Sequence, residues 1–267
     1  MLKQRIITAL FLIPIVLWTI FASNEHYFAG LMALIIVLAA MEWGRLIKLT
    51  SIAYYAYASI NLLIIVMVYI LDAIWVHQVL LISSCLFWTA AIGIVIAYQK
   101  QKMRLPKSKW TLMLLGQLLL VSAWDSLYYL KMQESAVALL FLMLLIWSAD
   151  SGAYFAGKAF GKNKFASNVS PGKTWEGIYG GLVAALIVGL VYVMVMSENI
   201  YAVFFFTIVT VIFSITGDLF ESILKREVDI KDSGNILPGH GGVLDRIDSL
   251  IAASPVFALA NLMMVNI

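Results

Sequence analysis

The feature that most constrains this chain is a succession of apolar runs, near residues 6–22, 27–43, 52–71, 74–98, 111–124, 135–157, 177–196, 200–219 and 249–266. About 20 apolar residues in a helix cross the hydrocarbon core of a bilayer, and within lipid a helix satisfies its own backbone hydrogen bonds. The chain therefore reads as an all-α polytopic membrane protein with nine transmembrane helices, 111–124 being the shortest run. Only 12% of its 267 residues are charged, against about a quarter in soluble domains. The first run follows Lys3 and Arg5 as a secretory signal would, but no small-residue cleavage site follows before Glu25 and His26, so a retained helix is expected. The single cysteine, Cys85, excludes a disulfide framework within one chain and a thiolate zinc cluster.

Basic residues resist translocation and mark the cytoplasmic side. With nine spans and the N-terminus inside, 17 of the 18 lysines and arginines fall on cytoplasmic segments, Lys131 being the exception. A miscount of helices would exchange the sides of everything after it, so this asymmetry supports both the count and an outside C-terminus. The basic face suits anionic headgroups and phosphorylated ligands rather than nucleic acid. The chain divides into an N-terminal transmembrane region, 1–134, and a C-terminal region, 135–267, whose cytoplasmic loops 158–176 and 220–248 hold more polar residues than topology requires.

In the second loop, continuation of the eighth helix places Asp218, Glu221, Ser222 and Lys225 on one face, with Leu219, Phe220, Ile223 and Leu224 on the other. Asp218 lies at the end of a span, where an ionised side chain needs a partner, a cation or a polar cavity. Beyond Pro238, Gly239, Gly241 and Gly242 permit positive φ and close backbone approach to a ligand. Asp245, Asp248 and Ser249 then share a face at the start of the last helix, where Asp245 is alternatively a simple N-cap. Carboxylates among Lys225, Arg226, Lys231 and Arg246 suit phosphoryl chemistry: magnesium takes one or two carboxylates plus phosphate oxygens and water, and the cations neutralise the remaining phosphate charge. His240 offers either a general base or a hydrogen-bonding group in a glycine turn.

The first loop repeats the theme. Asp150 lies within the sixth span, followed by Lys158, Lys162, Lys164 and Lys173. The segment SPGKT, Ser170 to Thr174, lacks the spaced first glycine and preceding soluble strand of a nucleotide-binding P-loop. A Gly-Lys-Thr turn before a helix N-terminus nonetheless suits phosphate.

The stretch SILKREVDIKDSGNILPGHGGVLDRID, Ser222 to Asp248, resembles the signature of the phosphatidate cytidylyltransferases. Trp147 to Gly181, with DSGAY, spaced glycines and SPGKTWEG, is also similar to that family. The N-terminal half agrees only as a polytopic membrane region. The resemblance implies that phosphatidate and CTP give CDP-diacylglycerol and pyrophosphate, with magnesium required. It implies Asp218 and Asp245 as metal ligands, with Asp248 and Asp150 supporting, and leaves room for a second cation. Lys225, Arg226, Arg246 and Lys173 fall to the phosphates, with Ser170, Thr174, Ser222, Lys231, Gly241, Gly242 and His240 as further substrate contacts. The expected setting is a bacterial inner membrane with the site facing the cytoplasm, and a homodimer is compatible with closed symmetry. A secondary transporter would place polar residues at broken helices near the midplane, whereas the charges here collect at one side. A CDP-alcohol phosphotransferase would need a DGxxAR-type motif that this chain lacks, and a noncatalytic lipid-binding scaffold would need no clustered acids.

Overall fold

The computed structural model describes residues 14–106, 108–236 and 241–264. Helix α1 is described over 14–21. It is followed by α2 (Glu25–Leu46), α3 (Ser51–Leu71), α4 (Ile74–Gln99), α5 (Lys109–Tyr129), α6 (Ala136–Phe160), α7 (Trp175–Met196), α8 (Ile200–Glu227) and α9 (Leu244–Met264). A π-helical turn, Leu130–Glu134, extends α5. Among the described residues seven helices, α2 to α8, are long and apolar enough to cross a membrane. This establishes a helical, polytopic architecture.

Short polar residues set several helix starts. Asn24, Ser108, Ser135, Thr174 and Asn199 each accept a hydrogen bond from a backbone N–H in the first turn of the helix that follows. The short run at 111–124 belongs to a 21-residue helix, α5. Polar residues interrupt its apolar pattern because α5 is enclosed by protein: Ser122, Asp125 and Ser126 are buried on it. Trp43 Nε1 and Tyr57 Oη donate to its Leu112 and Met113 carbonyls at 3.0 and 3.1 Å, tying α2 and α3 to it.

The most enclosed helix is α9, whose Ala252, Ala253, Ser254 and Ala258 have no exposed surface. It packs on α8, α5, α4, α6 and α2, so helices from both halves of the chain surround it.

The expected loop at 158–176 contains β structure that an all-α reading omits. Strands β1 (Lys164–Ala166) and β2 (Ser170–Thr174) pair antiparallel, with Lys164 opposite Thr174 and Ala166 opposite Ser170. Two features seat this hairpin. Glu176 accepts from the N–H groups of Lys162 and Asn163 at 3.2 Å and from Asn163 Nδ2 at 2.7 Å, and Asn168 donates to the Gln99 carbonyl at the end of α4 at 2.8 Å.

Small residues then bring α6 and α7 together. A Cβ on Gly152 would lie 2.6 Å from the Gly180 carbonyl, and one on Gly181 would lie 2.6 Å from the Ala149 carbonyl. Such residues let helix backbones approach where lipid offers no hydrophobic drive for association. The approach carries Asp150 to the strand that presents Lys173.

Candidate functional site

The hairpin, α6, α7 and α8 enclose a cavity of about 210 Å³ whose polar lining includes Asp150, Lys173, Thr174 and Asp218. Asp150 comes from α6, Lys173 and Thr174 from β2, and Asp218 from α8. Lys173 Nζ lies 2.7 Å from Asp218 Oδ2, and Ser222 Oγ donates to Asp218 Oδ1 at 3.3 Å. Asp150 opens onto the same space. The result is two acids and one ammonium around a common volume, with apolar Ala149, Ala153, Ile178 and Val211 behind them.

A second polar cluster lies beside it. The expected face of α8 forms, and Lys225 Nζ donates to Glu221 Oε2 at 2.6 Å and to Asp245 Oδ1 at 2.7 Å. Asp245 Oδ2 accepts from the N–H groups of Gly242 at 2.8 Å and Ser233 at 3.0 Å. Its carboxylate therefore closes the loop between α8 and α9 as well as pairing with Lys225, which exceeds the N-cap alternative. Gly241 adopts φ +82°, and a Cβ there would lie 2.9 Å from Asp245 Oδ2. Only glycine takes that turn against the carboxylate without strain.

Asp248 joins the two clusters. Its backbone carbonyl rests on Gly217, where α8 and α9 touch. Its carboxylate accepts from the Ser249 N–H at 2.6 Å.

Other expected residues take different places. Thr174 lines the cavity, but its hydroxyl oxygen is occupied by the Gly177 N–H as the cap of α7. Ser170 stands opposite Ala166 in the hairpin, outside the cavity lining. Arg226 Nε donates to the Val169 carbonyl at 3.1 Å and so fastens α8 to the hairpin turn. Arg246 borders a separate, largely apolar cavity between α1, α2, α5, α6 and α9. Lys231 is exposed on the loop. His240, with Leu237, Pro238 and Gly239, lies outside the described residues.

Sequence reasoning missed Glu42 on α2. It is fully buried, and its Oε2 accepts from Leu244 N–H at 2.7 Å and Ser233 Oγ at 3.1 Å. The signal was available, since an acid inside an apolar run carries the same functional presumption as Asp218.

No group of three or more His, Cys, Asp or Glu side chains forms a ready-made metal site among the described residues. The donor set fits magnesium all the same, because that ion takes one or two carboxylates and completes its shell with phosphate oxygens and water. Asp218 and Asp150 supply that number from different walls of one cavity.

The fold and site define a polytopic membrane protein with a carboxylate-lined cavity that also holds a lysine, an arrangement suited to phosphate groups. Comparison with known sequences makes this specific: the Cytidylyltransferase family matches residues 3–264, and the chain belongs to that family. It is 43% identical over 263 residues to a phosphatidate cytidylyltransferase of Pseudomonas aeruginosa, covering 97% of this chain and 96% of that one. It is 37% identical over 281 residues to the protein of that name in Haemophilus influenzae, covering 97% and 98%. A Bacillus subtilis phosphatidate cytidylyltransferase is 46% identical over 125 residues, 46% of each chain.

Proposed function

We propose that this chain transfers the cytidylyl group of CTP to phosphatidate, giving CDP-diacylglycerol and pyrophosphate. The observation that carries the reading is the pairing of two adjoining cavities. The polar one holds Lys173, Asp150 and Asp218; the apolar one, about 460 Å³ between α4, α7, α8 and the hairpin, shares Ile178 and Ile215 with it. A lipid phosphate needs both, a charged recess for its headgroup and an apolar wall for its chains. The names of the relatives that align along the whole chain supply the reaction.

The phosphatidate phosphate carries about −1.5 to −2 charge near neutral pH, by analogy with other phosphomonoesters. Its approach to a triphosphate is repulsive until cations offset the charge, and Lys173 stands in the cavity to do so. A phosphatidate oxygen attacks the α-phosphorus of CTP. The bond from that phosphorus to the α,β-bridging oxygen breaks, and pyrophosphate leaves with the electron pair. An ionised nucleophile requires no strong base, so catalysis rests on positioning and charge stabilisation. Asp218 and Asp150 are the residues that would hold magnesium, with Asp248 beside them. The ion's contribution when bound is charge neutralisation on the reacting phosphates. Asp245, with Lys225 on one oxygen and two backbone N–H groups on the other, serves first to hold the loop.

The distribution of basic residues supports nine spans, an inside N-terminus and a site facing the cytoplasm of a bacterial cell. Single cysteines placed in the loops of a Cys85→Ser background would test that orientation with a membrane-impermeant thiol reagent. The reaction is tested by pyrophosphate release from purified protein in detergent with CTP, magnesium and phosphatidate, each omitted in turn, and with UTP and ATP replacing CTP. Release that needs all three components and prefers CTP is expected. Release without phosphatidate, or none from folded protein, would overturn the reading.

A further inference from the structure

The loop between α8 and α9 is held from outside as well as by Asp245. Ser233 within the loop and Leu244 at its end meet on Glu42, a side chain of α2 with no exposed surface, 191 and 202 positions earlier in the chain. One carboxylate oxygen receives both donors, the Ser233 hydroxyl and the Leu244 N–H. The other, Oε1, has no hydrogen-bond partner among the described residues and faces Gly234. A Cβ on Gly234 or Gly242 would run into this carboxylate, so the loop backbone closes on it at two glycines. The residues at those contacts supply the N–H groups of Ser233 and Gly242 that hold Asp245 Oδ2, and Asp245 in turn holds Lys225 against α8.

We infer that Glu42 is a positioning residue for the reaction: it seats Ser233, Gly234, Gly242 and Leu244 from the N-terminal half of the protein and thereby sets Asp245 and Lys225 beside the Asp218 cavity. Glu42 lines neither the polar cavity nor the apolar one beside it. Burying a carboxylate is costly unless hydrogen bonds offset the lost hydration, and here those bonds come from Ser233 and Leu244, at the same loop whose backbone N–H groups hold Asp245. This inference rests on the cytidylyl-transfer reading for its kinetic consequence, but not for its structural one.

The test pairs hydrogen exchange in the 233–244 peptide with steady-state kinetics on full-length protein in detergent. Glu42→Ala is expected to speed exchange in that peptide while leaving α5 and α6 protected. It should lower kcat by about 10- to 100-fold, as when a residue that orients a ligand is lost, with little change in KM for CTP. Glu42→Gln keeps an acceptor oxygen for both donors and should recover most of the turnover. Should Glu42→Ala fail to fold, Ser233→Ala takes its place, since it removes one donor to Glu42 and leaves the backbone N–H on Asp245; a smaller change of the same kind is expected. Unaltered exchange and kcat in the folded variant would overturn the inference, as would equal losses in Glu42→Gln and Glu42→Ala. Faster exchange in a variant whose wild type shows no transfer would uphold the placement of Glu42 and reject the proposed function, so the two failures are distinguishable.

Discussion

Asp218 and Asp245 read alike in the sequence, each an acid at a helix end near basic residues, yet the fold gives them opposite settings. Asp218 borders a cavity, and its two oxygens meet Lys173 and Ser222, both side chains. Asp245 is locked: Lys225 takes one oxygen, and two backbone N–H groups take the other. Side chains can turn to admit a ligand, whereas a backbone N–H moves only with its loop. The first aspartate thus borders open space, and the second is the pin on which the loop closes.

Asp218→Asn should break the comparison most severely. It removes charge where phosphates and a cation meet, so turnover should fall by about 10²- to 10³-fold, the usual loss for one preorganised electrostatic group. Thermal stability in detergent should change little. A folded Asp218→Asn variant with ordinary magnesium-dependent pyrophosphate release would remove Asp218 from the site.

Asp245→Asn should act through folding as well. It leaves Lys225 with Glu221 alone and weakens the hold on two backbone N–H groups, at a cost of about 1–3 kcal/mol for buried partners left short. Faster exchange in 233–244 and a lower melting temperature would accompany the loss of activity. A variant that lost activity alone, with loop and stability intact, would show Asp245 to be equivalent to Asp218.

Gly217→Ala probes the joint between the two settings. A Cβ there meets the Asp248 carbonyl and lies 2.8 Å from Ala252 Cβ, so α8 and α9 must separate. Overpacking of this kind costs about 1–3 kcal/mol, and both carboxylates should lose their spacing. Full stability and activity would show the joint to be looser than the contacts imply. The smallest effect is expected for Thr174→Val, which removes the cap of α7 at a cost of about 1 kcal/mol and leaves Lys173 in place. A change in KM for CTP exceeding the change in stability would assign the hydroxyl to substrate instead.

The α8 cluster was legible because helical spacing alone puts Asp218, Glu221, Ser222 and Lys225 on one face. The glycine turn was legible for the same local reason, and Gly241 does take positive φ. The place of Arg226 was not, since a basic residue near acids in the chain says nothing about where its side chain points: Arg226 fastens the hairpin turn. The hairpin itself escaped notice because its strands span three and five residues and depend on contacts with Glu176 and the end of α4.

The sequence by itself determined the helical membrane architecture, the family and the residues of the α8 face, because apolar run length, helical period and motif spacing are properties of neighbours along a chain. Only the tertiary structure decided that Asp150 and Lys173 meet Asp218 in one cavity, that Asp245 is held by its own loop, and that Glu42 closes that loop from the other half of the protein. Those partners lie on different elements, and their meeting depends on how closely backbones approach at Gly152, Gly181 and Gly217, a distance set by packing in three dimensions.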